Sequence, residues 1–372
     1  MSTNVLKEVS DANIELRFER LKSVFMTFSF NGFYHLLMQR YIVNVPICGT
    51  NKKFIKKMKV KTLFFALIAG MGISFLPEAG AQAKADATYM YAQKDEWSLF
   101  MDIHEPAKGS TVTEAGQEKP TIIFMFGGGF IQGTRDDKSY EKWFTQMKND
   151  GYRIVSIDYR LGLRGAKKVG VAQVNLLDNA IHMAVEDLFT ATNFIIDNAE
   201  QLGIDPYNMV ISGSSAGAIS VMQAEYEICN NTSWAKILPE DFNYVGVMSF
   251  SGAILSREGK VDYKEKPCPT MMLHGTADGL VPYEQIRFLN LGFFGGGELV
   301  KRFKKFGYNY NMYHFIDYGH EIAGSMGTTI ELQKDFLEKN VMEKKERLVE
   351  TWISDPDVYK GYGPQSRDEL YK

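Results

Sequence analysis

The run Gly213-Ser214-Ser215-Ala216-Gly217 constrains this chain more than any other stretch, because it puts a serine inside a sharp turn flanked by glycines. Ahead of it, Asn208 to Ser212 reads as a short buried strand. Behind it, from Ala216 to about Ile228, alanines, Ile219 and Met222 recur at helical spacing. A strand that reverses into a helix this abruptly is a steric problem, since side chains larger than glycine beside the serine would collide with neighbouring strands. A G-x-S-x-G between strand and helix therefore predicts a nucleophilic Ser215 on a strained turn. The plain alternative is a glycine-rich turn that merely contains serines, and short matches of this kind arise by chance.

Strand and helix patterns alternate on both sides of this turn. Trp97 to His104, Thr121 to Phe126 and Tyr152 to Ile157 read as strands. Tyr140 to Asn149 reads as a helix with Trp143, Phe144 and Met147 on one side. Val174 to Asn198 reads as a longer one, in which Ile181, Val185, Leu188, Ala191 and Ile195 recur at three- and four-residue steps. Strands follow at Tyr244 to Phe250, Thr270 to His274 and Asn311 to Ile316, and a final helix is expected over roughly Thr328 to Trp352. This alternation predicts an α/β fold with a mostly parallel sheet and helices on both faces. In such sheets, reactive groups gather on loops beyond the carboxyl ends of the strands. No repeat, low-complexity linker or second core interrupts the pattern, and the connecting loops are too short for a large helical lid. Residues 84–372 are expected to form a single domain.

The chain has 372 residues, more than one α/β domain of about 250 to 300 needs, and the surplus lies at the amino terminus. From Met58 the order is Met-Lys-Val-Lys-Thr, an apolar stretch from Leu63 to Leu76, then Pro77 to Ala83 ending in small residues. That is the order of a secretory signal peptide, and it predicts a secreted or periplasmic protein. As a helix the apolar stretch would reach only about 20 Å, short of the ~30 Å hydrocarbon core, so no permanent membrane anchor is expected. Translation is then expected to begin at Met58, with residues 1–57 an upstream gene-model extension or disordered leader. The rival reading is a cytoplasmic tail on a signal anchor. Cys229 and Cys268 would remain after export, either as one disulfide or as two buried thiols. A formal net charge of −3 is close to zero, so nothing argues for nucleic acid as a partner and none is expected. Oligomeric state is left open.

Three further strand ends carry chemistry. Phe126-Gly127-Gly128-Gly129-Phe130 follows the strand that begins at Thr121, and consecutive glycines can turn backbone N–H groups toward one point where an oxyanion develops; otherwise it is a flexible loop. Asp278 lies in His274-Gly275-Thr276-Ala277-Asp278, past the strand ending near Leu273, placed to orient an imidazole or simply to shape a turn before Pro282. His320 sits in Asp317-Tyr318-Gly319-His320-Glu321, exposed enough to shuttle protons unless it is an ordinary loop histidine. Together they predict a catalytic triad of Ser215, Asp278 and His320. His104, His182 and His314 read as structural, and His274 as support for the Asp278 loop. Asp317 is a rival acid whose closeness to His320 in the chain aims it elsewhere. Phe130, Tyr159 and Trp234 are candidates to line a pocket, although core packing is the commoner fate of aromatics.

In combination these residues resemble the esterase branch of the α/β-hydrolase superfamily over about Tyr89 to Trp352. The order Ser215, Asp278, His320 is the order of those enzymes. Gly127-Gly128-Gly129-Phe130 resembles their H-G-G-G-F/W motif, and by that match Gly128, Gly129 and Ala216 would supply the oxyanion N–H groups. Asp158-Tyr159-Arg160-Leu161 is similar to their D-Y-R-L, and His274-Gly275-Thr276-x-Asp278-x-x-Val281-Pro282 to their acid-bearing segment. One departure is the usual histidine ahead of the glycines, which is Phe126 here and puts the rigidity of the loop in question. The pattern looks most like secreted bacterial feruloyl and acetyl xylan esterases. That resemblance implies a serine esterase acting on acyl decorations of plant polysaccharides, with no cofactor or metal. An amidase or peptidase of the same fold and a non-catalytic hydrolase-like binder are the alternatives.

Overall fold

The apolar runs assemble into a nine-stranded sheet, seen in a computed structural model that describes residues 84–107, 111–113, 116–166 and 174–354. Its strands are β1 (Ala87–Lys94), β2 (Trp97–His104), β3 (Thr121–Met125), β4 (Ile154–Ile157), β5 (Met209–Ser214), β6 (Gly246–Phe250), β8 (Thr270–Gly275), β11 (Tyr310–Phe315) and β12 (Leu348–Ile353). The order across the sheet is β1-β2-β4-β3-β5-β6-β8-β11-β12. β1 and β2 pair antiparallel, as do β2 and β4, and every later neighbour is parallel. This is the α/β-hydrolase arrangement. β3, β5, β6, β8 and β11 are buried along their whole length. Strands of that kind read as continuous apolar runs because both faces are covered.

The helices are α1 (Glu141–Asn149), α2 (Val174–Asp197), α3 (Ala199–Leu202), α4 (Ala216–Cys229), α5 (Gly296–Phe306) and α6 (Ile330–Phe336). α4 packs on β3, β5 and β6 and against α2, and only Ile228 along it escapes full burial. That is why its sequence is small and apolar on every side rather than striped. α5 shows the opposite pattern: Leu299, Val300 and Phe303 are buried, while Lys301, Lys304 and Lys305 form a solvated face.

Three features depart from the sequence expectation. The final helix does not run from Thr328 to Trp352. α6 passes into a π-turn at Leu337–Met342, the backbone reverses at Lys344 with φ 52°, and β12 follows. The lysines and glutamates of this stretch suit a helix locally, but Val349, Thr351 and Ile353 alternate with more exposed neighbours, which is the period of an edge strand. β1, ahead of the first expected strand, pairs with β2. A second, antiparallel sheet forms from β7 (Ala253–Ser256), β9 (Gln285–Phe288) and β10 (Leu291–Gly295), in order β7-β10-β9. Cys229 and Cys268 are free thiols. Among the described residues no helix is long and apolar enough to cross a membrane. The leader and signal-peptide expectations for residues 1–83 lie outside the described residues.

Candidate active site

β5 ends at Ser214, and the next residue takes φ 51°, ψ −113°, a conformation that costs energy in any non-glycine residue. The surroundings hold it there. The Ser215 N–H donates to Phe250 O at 2.9 Å, and the Ser215 carbonyl accepts from Ile219 N at 2.9 Å to start α4. A Cβ on Gly217 would lie 2.1 Å from Met125 O, so only glycine lets α4 approach the end of β3 this closely. Ser215 thus stands at the junction of β5 and α4, with 9% of its surface exposed.

β8 and β11 are parallel neighbours, so the loops after them leave the sheet side by side. Ala277 N donates to Tyr318 O, and Asp317 N to Thr276 Oγ1, both at 2.9 Å, which locks the two loops together. His320 Nε2 lies 2.8 Å from Ser215 Oγ and its Nδ1 lies 2.8 Å from Asp278 Oδ2. The network assigns the proton on Nδ1 to the Asp278 bond, leaving Nε2 to accept from the serine. Asp278 Oδ1 accepts from Leu280 N and Val281 N, each at 2.9 Å. Burial alone would raise the Asp278 pKa, but hydrogen bonds from His274 and His320 outweigh it and hold this carboxyl well below the usual range. The rival acid Asp317 is exposed, at φ 63°, on the tip of its turn.

Gly128 and Gly129 take φ of 123° and 65°, and a Cβ on Gly128 would meet Gln132 O at 1.9 Å. Among the described residues no protein acceptor takes the N–H of Gly128 or Gly129. The Phe126 ring stacks on Tyr159, with centroids 4.4 Å apart, and the Tyr159 hydroxyl donates to Phe126 O at 2.8 Å. Gly127 N donates to the Tyr140 hydroxyl at 3.0 Å. The loop that lacks the usual histidine is therefore tied by two tyrosines. Nothing in the local sequence singled out Tyr140 for this, because it lies 13 residues along the chain from Gly127.

Phe130 and Tyr159 pack in the core at 1% and 2% exposure, while Trp234 is partly exposed and stacks on His182. Asp158 and Arg160 serve the scaffold. Asp158 accepts from Phe100 N and Arg135 Nη1, and Arg160 grips Asp187 and Glu186 of α2. His274 is fully buried behind Asp278, with Nε2 3.4 Å from Oδ2 and Nδ1 accepting from Gly296 N at 3.3 Å. His314 lies in β11, stacked on Trp352 and bonded to the Tyr283 hydroxyl.

Residues 101–232 match the family model BD-FAE, a span that includes Gly128, Gly129, Ser215 and Ala216 and ends before Asp278 and His320. Gut esterase 1 of Caenorhabditis elegans is 28% identical over 149 residues, 40% of this chain and 24% of that protein. Secreted lipase 1 of Botryotinia fuckeliana is 28% identical over 173 residues, 46% of this chain and 27% of that one. Carboxylesterase 5A of Canis lupus familiaris is 30% identical over 133 residues, 36% of this chain and 21% of that one. The chain thus spans about a quarter of the length of these curated relatives. Among solved structures, a propionate-bound esterase 2 of Thermogutta terrifontis aligns over 70% of this chain and 96% of its own, with 21% identity and a TM-score of 0.49. Over these partial spans the sequence is similar to esterases and a lipase, and the strand order is that of the α/β-hydrolase fold.

Proposed function

We propose that this protein is a serine carboxylic-ester hydrolase working through an acyl-enzyme on Ser215. The observation that carries the reading is the pair of 2.8 Å contacts joining Ser215 Oγ, His320 and Asp278 in one line. His320 takes the Ser215 proton as the oxygen attacks the ester carbonyl, and Asp278 orients and stabilises the imidazolium that forms. The N–H groups of Gly128, Gly129 and Ala216 receive the developing oxyanion, where each donor contributes most in the tetrahedral state. The alcohol leaves with the proton held by His320. Water then attacks the acyl carbonyl as its proton passes to the same nitrogen; the bond from Ser215 Oγ to the acyl carbon breaks, Oγ takes the proton back from His320, and the acid leaves. An elbow already strained and buried needs little reorganisation at the moment of attack, which is what pre-organised electrostatics requires.

Acyl groups carried on plant polysaccharides, outside the cytoplasm, are the substrate class this reading favours. Its support is the resemblance in the glycine loop, the D-Y-R-L segment and the acid segment, together with the signal-like order of residues 58–83. Ser215→Ala should lower p-nitrophenyl acetate turnover by at least about 10⁴-fold. Retention of more than a few per cent of the activity rules the assignment out. Turnover of methyl ferulate compared with acetylated xylan separates the two acyl classes, and turnover of neither removes the polysaccharide part of the proposal.

A further inference from the structure

β2 turns Asp102 and His104 to the same side of the sheet, because residues two apart in a strand share a face. Both line a cavity of about 330 Å³, walled also by Arg135 from the loop after β3 and by Phe144 of α1. That volume lies at the lower end of the ~300 to 1,000 Å³ that small-molecule sites occupy. His104 is 3% exposed, and among the described residues neither its Nδ1 nor its Nε2 has a hydrogen-bond partner. A buried imidazole bare at both nitrogens costs the fold free energy and gives it nothing in return. Its ring packs on Phe144 with centroids 4.8 Å apart, a contact that a phenyl ring would make without that cost. Burial draws the His104 pKa below its ordinary value. The ring is therefore neutral at neutral pH, with one nitrogen that donates and one that accepts.

The charges around the cavity select against an ion. Arg135 already faces Asp102 at 3.0 Å and Asp158 at 2.8 Å. Of the other charged groups that line it, Asp136, Asp137 and Glu141 stand against Lys84 and Lys138. An anion would meet carboxylates there, and a cation would meet ammonium groups. A neutral ligand with adjacent hydroxyls suits both signs, since each hydroxyl can donate to a carboxylate or a bare imidazole nitrogen and accept from an N–H. We infer that the cavity lined by Asp102, His104 and Arg135 binds a sugar unit, with His104 supplying one donor and one acceptor to neighbouring hydroxyls. None of Ser215, Asp278 and His320 lines it. The loop that carries Gly128 and Gly129 runs on to Arg135, whose carbonyl accepts from Ser156 Oγ at 2.7 Å. A polysaccharide held at this cavity would raise the local concentration of its own acyl groups. That consequence rests on the ester-hydrolase reading; the sugar site itself does not.

The test titrates xylotriose into wild type, His104→Phe and His104→Gln, and follows histidine ring protons and saturation transfer to the sugar by proton NMR. In wild type the His104 signals, identified by their loss in His104→Phe, should shift saturably; no shift overturns the inference. His104→Phe keeps the ring, removes both nitrogens, and should weaken binding by at least about tenfold. Its melting temperature should stay level or rise, and its p-nitrophenyl acetate turnover should match wild type, which separates lost binding from lost folding. His104→Gln keeps one donor and one acceptor and should bind within about fivefold of wild type. Undiminished binding in His104→Phe overturns the inference, as do equal losses in the two variants. Equal His104 shifts with acetate overturn it too, since they would mark an anion site. Xylotriose binding by a wild type that hydrolyses no ester upholds the sugar site and sinks the ester-hydrolase reading instead.

Discussion

Asp278 has each of its oxygens committed twice. Oδ1 takes two backbone N–H groups at 2.9 Å, and Oδ2 faces His320 at 2.8 Å and His274 at 3.4 Å. A carboxylate held this way does not rotate, so the imidazole bonded to it does not rotate either. His274 is the less obvious partner. Its Nδ1 accepts from Gly296 N at the start of α5, which assigns the remaining proton to Nε2, on the side of Asp278 and Val281 O. His274→Leu removes that donor and should lower kcat about tenfold. His274→Gln keeps an amide N–H at the same reach and should recover most of the loss in steady-state kinetics; equal losses in both variants would show that only packing is at stake. At this scale the sequence was informative wherever glycine or strand-end position marked a residue, as at Ser215, Asp278 and His320. It was silent on Tyr140, because a hydroxyl's partner depends on which loops the sheet brings together.

Elements built from long apolar runs were legible, because burial on both faces leaves a strand no polar option. β3, β5, β6 and β8 are of that kind. β9 was not, since all four of its residues are exposed, and β12 alternates between exposed and half-buried positions, so neither shows an apolar run. The packing of α2 on α4 carries a charge that local pattern did not reveal. His182 sits between Asp178 of its own helix and Glu227 of α4, with Trp234 stacked on its ring at 4.5 Å. Burial alone would lower its pKa, but the two carboxylates outweigh that and push it up to about 9, above the ordinary value of 6.5. A raised folded-state pKa means the imidazolium stabilises the fold fully below pH 6.5 and ceases to do so as pH rises through about 9. Wild type should therefore lose thermal stability over that interval, while His182→Gln starts lower and stays flatter. Parallel melting curves for the two proteins across the interval would contradict the ion-pair account.

For the whole molecule, a buried charge cluster joins parts of the chain that are distant in sequence. Lys94 at the end of β1 and Arg160 after β4 both contact Asp187 of α2, at 3.1 Å and 2.8 Å, and Asp187 has no exposed side-chain surface. Two cations facing one fully buried carboxylate leave a costly imbalance if the carboxylate is removed. Asp187→Ala should destabilise the fold by about 3 to 5 kcal/mol, read as a lower urea midpoint at an unchanged slope; a loss below about 1 kcal/mol would mean that Glu186 alone can balance both cations. The sequence by itself determined the fold class and the three strand-end loops that carry Ser215, Asp278 and His320. Apolar runs and glycine turns are local necessities of a covered parallel sheet, and they persist whatever the neighbours are. Only the tertiary structure decided which aspartate faces His320, what anchors a glycine loop without its histidine, and that residues 348–353 form a strand rather than the end of a helix. Each of those depends on strand order, which places side chains tens of residues apart within hydrogen-bond reach, and no local pattern encodes that distance.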